Sequence, residues 1–453
     1  MATEKTMGYG EPQDASRRFE DICDKPVVEL PVWGLVEALA RARKDESFKE
    51  WVMRTVFPAG SSLTDCLKTF YPYKHALVQQ GLRAVFQGWE MQLVGQREDD
   101  ELPTSTLFGF ETGPAGREYA YLEATFALRN NDGKRLVAHL ELGHSPIHGR
   151  SQRSMLLVTC VEADKEFVAA KFQELEDWIR ANSYFKGKAI ETSGRFIQEL
   201  RRYDWSDLFL PDEIVDTVRQ NTQGFFERLP RYRSLSLPTR RGVLIGGRPG
   251  CGKTTLAKVL ASQLRGVTFI LAKPGGISSP GDIWLAFKMA SETSPSLLLL
   301  EDLDMYGGRR GHGFGNMVLG ELLDGLDWME ELDQIVVLAT TNCLGAIDEA
   351  LRERPSRFDV VLEIPDLSDE VRHRYLRAFV NARGLNGEWY NELERATRDL
   401  TTIAQCKEAA IRLLQKAIHS DLDPNRVESP AELPELPAFD LSVPAPRGMG
   451  FRT

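Results

Sequence analysis

The chain has 453 residues, a net charge of −10, and 42% hydrophobic and 27% charged residues. Because a single hydrophobic core stops growing at about 250 to 300 residues, this length predicts two folded domains, or a domain and a lid. The composition is typical of a folded globular protein without the roughly 18-residue apolar run that spans a bilayer, and the acidic total disfavours a broad grip on nucleic-acid phosphates.

Cysteine spacing and the first residues bear on redox chemistry and location. The six cysteines lie far apart and form no CxxC pair, which argues against a zinc ribbon and against a disulfide framework. The first twenty residues are polar and lack the apolar core of a secretory signal. We therefore expect a cytoplasmic protein with no membrane span, for which a nucleic-acid partner is unlikely to be the main one on charge grounds.

The N-terminal region begins with a polar arm and continues with short periodic segments. Residues 1–25 show no periodicity, which predicts a disordered arm. Apolar residues between Pro31 and Phe57 recur at helical spacing and predict two helices. Alternating segments at 118–128 and 135–142 flank Asp132-Gly133, a dipeptide that suits a turn with positive φ, so a hairpin is expected there.

Further elements extend this region to residue 200. A third strand is predicted from Met155 to Val161, followed by a helix that Asp164 caps and that is apolar on one face. The prediction for residues 26–200 is an α+β domain, with recognition of a partner as its expected role. Three neighbouring histidines suggest a metal site, but their spacing spans a strand end and a loop, so ordinary polar roles are favoured. They are His139, His144 and His148.

From residue 201 the chain alternates short apolar runs with helical segments. This pattern is typical of a parallel sheet covered on both faces. The five predicted strands are Gly242 to Ile245, Val267 to Leu271, Leu297 to Leu300, Ile335 to Ala339 and Val360 to Ile364. Pro211 is expected to open a helix before the first strand. Residues 201–368 thus form the predicted α/β unit, 369–422 a helical lid, and the proline-rich residues 423–453 a flexible tail.

A phosphate-binding loop is the most specific signal in the sequence. Residues 247–254 read Gly-Arg-Pro-Gly-Cys-Gly-Lys-Thr between a predicted strand and a predicted helix. The glycines let backbone amides point at phosphate oxygens, Lys253 adds a charge near the β and γ phosphates, and Thr254 offers a hydroxyl ligand for Mg²⁺. The expected nucleotide-binding residues are Gly247, Arg248, Pro249, Gly250, Cys251, Gly252, Lys253, Thr254 and Thr255.

Polar residues follow two of the other predicted strands. Four leucines lead directly into Glu301-Asp302, which places two carboxylates at the carboxyl edge of the sheet. By their order, Glu301 is assigned to the metal with Thr254, and Asp302 to the water that attacks the γ phosphate. Asn342 follows the strand 335–339 and is expected to hold that water or the γ phosphate. The sequence therefore predicts ATP and Mg²⁺ as cofactors of a hydrolase.

Three arginines precede the last predicted strand, at positions 352, 354 and 357. Taken alone, such a charged segment is most often a solvated face. However, the phosphate loop, the acidic strand end, Asn342 and this arginine segment together resemble the AAA family of ATPases over about residues 203–420. The resemblance implies an α/β P-loop fold, an AAA+ module with a five-stranded parallel sheet and a small helical lid. It also implies arginine fingers at Arg354 and Arg357 that reach the γ phosphate of the next subunit, with Arg352 as a rival to Arg354.

Three departures from the family pattern bear on function. The acidic pair reads Glu301-Asp302 instead of Asp-Glu, an order similar to that of the mitochondrial AAA translocase that handles the folded Rieske protein. Residues 274–280 contain no aromatic residue to grip a threaded chain, which leaves Ile277 as the only candidate. Thr402-Ile403-Ala404 replaces the usual Gly-Ala element of the lid, so a lid contact to nucleotide is in question.

The expected function is that of an ATPase that forms a homo-oligomeric ring, most often a hexamer in this family. Hydrolysis would remodel or translocate a protein partner that the sequence does not identify. The alternative is a nucleotide-switched assembly or sensing protein with slow hydrolysis, which the inverted acidic pair and the non-aromatic segment 274–280 both favour.

Overall fold

The computed structural model describes residues 48–94, 107–113, 116–144, 152–197, 202–277, 281–306, 314–347 and 357–419. The chain divides into two compact units between Tyr184 and Phe185. The predicted arm 1–25, the tail 423–453, Arg352, Arg354 and His148 lie outside the described residues. Among the helices in the described ranges, none combines the length and apolar character that a bilayer span requires.

The described part of the first unit is an α+β structure. Its elements are α1 (Phe48–Val56), β1 (Leu63–Phe70), α2 (His75–Val85), β2 (Glu90–Val94), β3 (Leu107–Glu111), β4 (Arg117–Tyr121), β5 (Glu123–Arg129), β6 (Arg135–His144), β7 (Gln152–Val161) and α3 (Lys165–Ala181). Five strands form an antiparallel sheet in the order β1-β7-β6-β5-β2, while β3 and β4 pair as a separate hairpin.

The predicted hairpin around Asp132-Gly133 is present, but its first strand is divided. Gly133 has φ +84°, and the Lys134 N–H donates to the Asn130 side chain at 2.8 Å, which closes the turn between β5 and β6. The expected single strand 118–128 is wrong because it is two strands, β4 and β5, in different sheets. Leu122 separates the two strands, and Tyr121, the last residue of β4, donates its N–H to the Gln79 side chain.

The structure also bears on two predictions for this unit, the helix cap at Asp164 and the metal site at the histidines. Asp164 makes no side-chain cap to α3, because its carboxylate pairs with Lys134 from the hairpin turn. His139 lies on β6 with its Nδ1 at 2.9 Å from Thr125 Oγ1. Within the described ranges, no three His, Cys, Asp or Glu side chains are placed to hold a metal ion.

The second unit is built on a parallel sheet. Its elements are β8 (Ala189–Glu191), α4 (Asp212–Asn221), α5 (Gln223–Glu227), α6 (Leu229–Ser234), β9 (Arg240–Gly247), α7 (Lys253–Gln263), β10 (Thr268–Ala272), α8 (Gly281–Glu292), β11 (Ser296–Leu300), α9 (Leu303–Tyr306), α10 (Phe314–Trp328), β12 (Ile335–Thr341), β13 (Val360–Ile364), α11 (Asp369–Asn381), α12 (Gly387–Thr397) and α13 (Ile403–His419). Every residue of β10, β11 and β12 is buried, as expected where both faces of a sheet are covered.

The sheet has six strands in the order β13-β9-β12-β11-β10-β8, one more than the five that the sequence predicted. The additional strand β8 pairs in parallel with β10 at the edge. The sequence pattern places residues 189–191 in the N-terminal domain, whereas the second unit begins at Phe185. Phe185 stacks on Phe196 with ring centroids 5.6 Å apart, so the residues on both sides of β8 fold together.

A close backbone approach fixes the segment before β13 against β9. A Cβ on Gly242 would lie 2.1 Å from the Arg357 carbonyl oxygen and 3.0 Å from Phe358 Cα. The Gly242 N–H donates to Asp359 Oδ2 at 2.7 Å. Glycine at position 242 therefore allows the Arg357 backbone to lie directly against β9.

We predict that Gly242→Ala destabilises the protein, because the new methyl group overlaps backbone that cannot rotate away. Overpacking of this kind costs about 1 to 3 kcal/mol, measurable as the free energy of unfolding in urea. Gly387→Ala is the matched control, because nothing lies within 4 Å of its new Cβ, and a surface change of this type stays within about 0.5 kcal/mol. A Gly242→Ala protein as stable as the control would contradict the close approach.

Candidate functional site

The predicted phosphate loop joins β9 to α7 and depends on glycine at several positions. Gly250 and Gly252 have φ values of +83° and +117°, which side chains with a Cβ rarely adopt. A Cβ on Gly247 would lie 2.9 Å from both Cys251 Sγ and Ile364 Cβ. The loop can curl this tightly only because these three positions carry no side chain.

Lys253 is the first residue of α7 and is only 8% exposed. Its ammonium group donates to the Gly247 carbonyl at 2.5 Å and to the Arg248 carbonyl at 3.2 Å. The side chain is therefore folded back across the loop, where it lies 3.9 Å from Cys251 Sγ. Phosphate oxygens in the loop would compete with the two carbonyls for this cation.

The acidic turn follows β11 at the carboxyl edge of the sheet. Its first residue is tied to the neighbouring strand, since the Glu301 N–H donates to the Ala272 carbonyl at 3.0 Å. Asp302 has φ +50°, a left-handed conformation that Asp tolerates better than most residues. Its N–H donates to Thr340 Oγ1 at 3.2 Å, so a side chain from β12 supports the turn.

The structure brings two of the predicted catalytic residues into contact. The Asn342 Nδ2 group lies 3.1 Å from Asp302 Oδ1, although the residues are forty positions apart in the chain. Parallel pairing of β11 with β12 and of β12 with β9 carries the acidic turn, Asn342 and the phosphate loop to one edge of the sheet. This edge is where open α/β folds bind their ligands.

Asp304 is a residue of this edge that the sequence analysis did not select. Its Oδ1 accepts the Thr341 hydroxyl at 2.8 Å and the Asn342 N–H at 2.8 Å, and its Oδ2 lies 3.4 Å from Asn342 Nδ2. The only sequence signal was a third carboxylate within the run Glu-Asp-Leu-Asp. Nothing in that run shows that Asp304 contacts the end of another strand.

The carboxyl groups of the edge differ in their acidity. Burial raises the pKa of Glu301 above its ordinary value, Lys273 opposes this rise and the neighbouring Asp302 adds to it. Burial also acts to raise the pKa of Asp304, but the hydrogen bonds from Asn342 and Thr341 outweigh it and hold that pKa below its ordinary value. The pKa values of Glu301 and Asp304 therefore shift in opposite directions, the first because of burial and the second because of hydrogen bonds.

A cleft adjoins the phosphate loop and is partly closed by the lid. It is narrow, and its volume comes to about 260 Å³ only when space open to solvent is counted. Its lining is mainly apolar and consists of Phe209, Leu210, Pro211, Cys251, Ile364, Pro365, Asp366, Leu367, Ser368, Val371, Thr401, Thr402 and Ile403. Arg374 on α11 binds the Leu210 carbonyl and Asp212, which ties the lid to the start of α4.

The segment Thr402-Ile403-Ala404 contacts the phosphate loop directly. The Ala404 N–H donates to the Gly250 carbonyl at 3.1 Å, and a Cβ on Gly250 would lie 2.8 Å from the Ala404 Cβ. Thr402 and Ile403 line the cleft. The departure from the usual lid sequence therefore still leaves the first turn of α13 beside the loop.

The residues present fit a nucleotide with magnesium. The loop combines backbone amides in a glycine-dependent curl with a buried ammonium group, which together suit phosphate oxygens. Thr254, Glu301 and Asp302 offer hydroxyl and carboxylate oxygens, the hard ligands that Mg²⁺ prefers. The mainly apolar cleft beside the loop suits a flat heterocyclic base.

Arg357 is buried and paired within its own chain, unlike an arginine that projects into solvent toward a neighbouring subunit. It is 5% exposed, and its Nε and Nη2 groups donate to the two carboxylate oxygens of Asp327 at 2.8 and 2.9 Å. Asp327 lies near the end of α10 and is 46% exposed. Within one copy of the chain, the Arg357 guanidinium is therefore engaged, and reaching a neighbouring subunit would require it to leave Asp327.

Ile277 does not have the exposed position that a gripping residue needs. It is 7% exposed and follows the short 3-10 helix Pro274–Gly276. Ile277, the only candidate in 274–280 for gripping a threaded chain, packs its side chain into the unit in this conformation instead of facing solvent.

Residues 243–366 match the family described as "ATPase family associated with various cellular activities (AAA)". This range begins in β9 and ends just beyond β13. It contains the phosphate loop, the acidic turn, Asn342 and the arginine segment in one continuous match.

Several curated proteins are similar to part of the chain. The ATP-dependent zinc metalloprotease FtsH of Slackia heliotrinireducens is 32% identical over 42% of this chain and 25% of its own length. The 26S protease regulatory subunit 6A of Caenorhabditis elegans is 30% identical over 42% of this chain and 47% of its own. The cell division control protein 48 homolog B of Arabidopsis thaliana is 29% identical, over 54% and 43%. The chain thus spans a quarter to about half of the length of these relatives.

We predict that Asp327→Ala lowers the free energy of unfolding by about 1 to 3 kcal/mol, because a nearly buried guanidinium loses two charge-assisted hydrogen bonds. The matched control is Glu408→Ala, which removes the Glu408–Arg412 pair on the exposed face of α13. Such helix pairs contribute only about 0.3 to 0.5 kcal/mol. Urea unfolding measures both variants, and equal effects would show that the Arg357–Asp327 pair behaves as an ordinary surface pair.

Proposed function

We propose that the chain binds ATP with Mg²⁺ and hydrolyses it to ADP and phosphate, with residues 243–366, which match the AAA family, as its ATPase domain. The observation that carries the proposal is the 3.1 Å contact between Asp302 Oδ1 and Asn342 Nδ2 at the sheet edge that also holds the phosphate loop. A carboxylate beside a neutral amide can accept a proton from a water molecule and orient it for attack.

Each residue of the site has a proposed part in the reaction. Backbone amides of residues 247–252 and the Lys253 ammonium hold the β and γ phosphates. Thr254 and Glu301 hold Mg²⁺, which when bound supplies positive charge to the phosphate oxygens. Asp302 accepts a proton from the attacking water. The water oxygen bonds to the γ phosphorus while the bond between the γ phosphorus and the bridging β-phosphate oxygen breaks. Asn342 orients that water.

The adenine base is proposed to occupy the cleft between the loop and the lid. Leu210, Ile364 and Ile403 provide apolar surfaces there, which suit both faces of a purine ring. The Ala404 contact to Gly250 joins the lid to the loop. Nucleotide in the cleft would therefore touch both the α/β part of the unit and its lid. Binding and release of nucleotide would then move the lid relative to the α/β part.

At the level of the whole protein, we propose a homo-oligomeric ring that remodels or translocates a protein partner. A hexamer is the proposed size of this ring. Arg354, with Arg352 as its rival, and Arg357 would reach the γ phosphate bound by the next subunit and link turnover to subunit contact. The names of the relatives refer to proteases, a protease regulatory subunit and cell division control, which supports action on proteins.

A second candidate is a nucleotide-switched assembly protein with slow hydrolysis. The buried Ile277 and the absence of aromatic residues at 274–280 favour it, because neither offers a grip on an extended chain. Steady turnover that rises with a protein partner would support the remodelling ATPase. Binding of ATP followed by a single slow turnover would support the switch.

We predict that Lys253→Ala abolishes ATP binding, whereas Asp302→Asn retains binding and loses turnover by about a hundredfold or more, the usual share of a general base. Fluorescent-nucleotide titration measures binding and phosphate release measures turnover. Lys288→Ala on α8 is a control for the loss of a lysine away from the loop. Normal turnover by Asp302→Asn would contradict the assignment of the base.

We predict that the arginines act between subunits, so that mixing two inactive proteins restores turnover. The first protein is Lys253→Ala, which should not bind ATP. The second is Arg354→Ala or Arg357→Ala, and each of these two arginine variants should bind ATP by itself without hydrolysing it. In mixed rings, an intact loop faces an intact arginine at some subunit boundaries. Electron microscopy of Asp302→Asn with ATP checks that rings form. Full turnover by both arginine variants alone would refute the role in trans.

A further inference from the structure

Asp304 contacts the end of β12 through three hydrogen bonds, although it is neither a phosphate-loop residue nor one of the Glu301-Asp302 pair. Two go from the Thr341 hydroxyl and the Asn342 N–H to Oδ1, both at 2.8 Å. The third is the 3.4 Å approach of Asn342 Nδ2 to Oδ2. One carboxylate therefore holds both the backbone and the side chain of Asn342.

The other side of the same turn is held by Thr340. Its hydroxyl oxygen accepts the Asp302 N–H at 3.2 Å. The left-handed conformation of Asp302 costs about 1 to 2 kcal/mol relative to an ordinary one, so the turn keeps it only where neighbouring bonds hold it. Three consecutive residues of β12 and its end thus fix the acidic turn.

The two carboxylates determine which way the Asn342 amide points. Its Nδ2 lies 3.1 Å from Asp302 Oδ1 and 3.4 Å from Asp304 Oδ2. An amide nitrogen has two N–H donors, which match two acceptors. The flipped amide would instead bring its carbonyl oxygen against two carboxylate oxygens, which repel it. If one carboxylate is removed, only one acceptor remains to hold the Asn342 amide in this orientation.

We propose that Asp304 is a positioning residue for ATP hydrolysis: it fixes the Asn342 amide, and through that amide Asp302, in the geometry that orients the attacking water. This inference rests on the proposed ATPase function.

Asp304→Asn is the sharpest variant, because it keeps the shape of the side chain and one acceptor oxygen. That oxygen can still accept from Thr341 and from the Asn342 N–H. The new NH₂ group replaces Oδ2 and faces Asn342 Nδ2, so two donors meet. We expect kcat to fall about tenfold or more with KM for ATP changed less than about threefold, since the contact orients water and does not bind nucleotide. Asp399→Asn, at an exposed position, is the matched control.

A second pair of variants tests the same contact from β12. Thr341→Val removes the hydroxyl donor with little change in volume, whereas Thr341→Ser keeps it. Turnover by Thr341→Ser should exceed that of Thr341→Val at equal KM. This pair keeps the inference testable if Asp304→Asn does not fold.

A double-mutant cycle with Asn342→Ala decides whether Asp304 acts through Asn342. In the Asn342→Ala background, Asp304→Asn should lower kcat by less than about twofold, because residues that act as a unit are not additive. Equal fold losses in both backgrounds, or a loss expressed in KM, would overturn the inference. If Asn342→Ala loses turnover and Asp304→Asn does not, the inference alone fails. If the wild-type protein shows no turnover, the proposed function fails.

Discussion

The register of the parallel sheet is the constraint on which the rest of the second unit depends. β12 lies between β9 and β11, with Ala339 opposite Leu300 on one side and Thr341 opposite Gly246 on the other. This register brings three strand ends to one edge, and the phosphate loop, the acidic turn and Asn342 follow those ends. A shift of one residue would turn every side chain of β12 to the other face and would separate Thr340 and Asn342 from the turn.

The conformational cost at this edge is offset by local contacts. The loop needs positive φ at Gly250 and Gly252, and the turn needs it at Asp302, which has a side chain. Asp302 is held by Thr340 on one side and Asn342 on the other. Buried strands supply the rigidity that such positions require. The same sheet places Gly242 against the Arg357 backbone, so the position of Arg357 is also fixed by the sheet.

The sequence predicted the second unit better than the first because the two sheets differ in burial. The buried parallel strands read as continuous apolar runs, and all five expected ones are present. In the first unit, β1 forms a sheet edge and exposes Leu63 and Leu67, so its pattern does not identify a buried face. The strand β8 has three residues, too few for any periodicity, and it exists because β10 offers a free edge.

The sequence by itself determined the chemistry of the site: the glycines and lysine of the loop, two carboxylates after an apolar strand, and an asparagine after the next. These follow from residue type and local spacing, which need no tertiary contact. Only the tertiary structure decided that Asp304 binds Asn342, that Arg357 pairs with Asp327 and that Ile277 is buried. The two pairings join residues 30 or more positions apart, and the sheet register and packing that create such contacts cannot be read from the neighbours of any one residue.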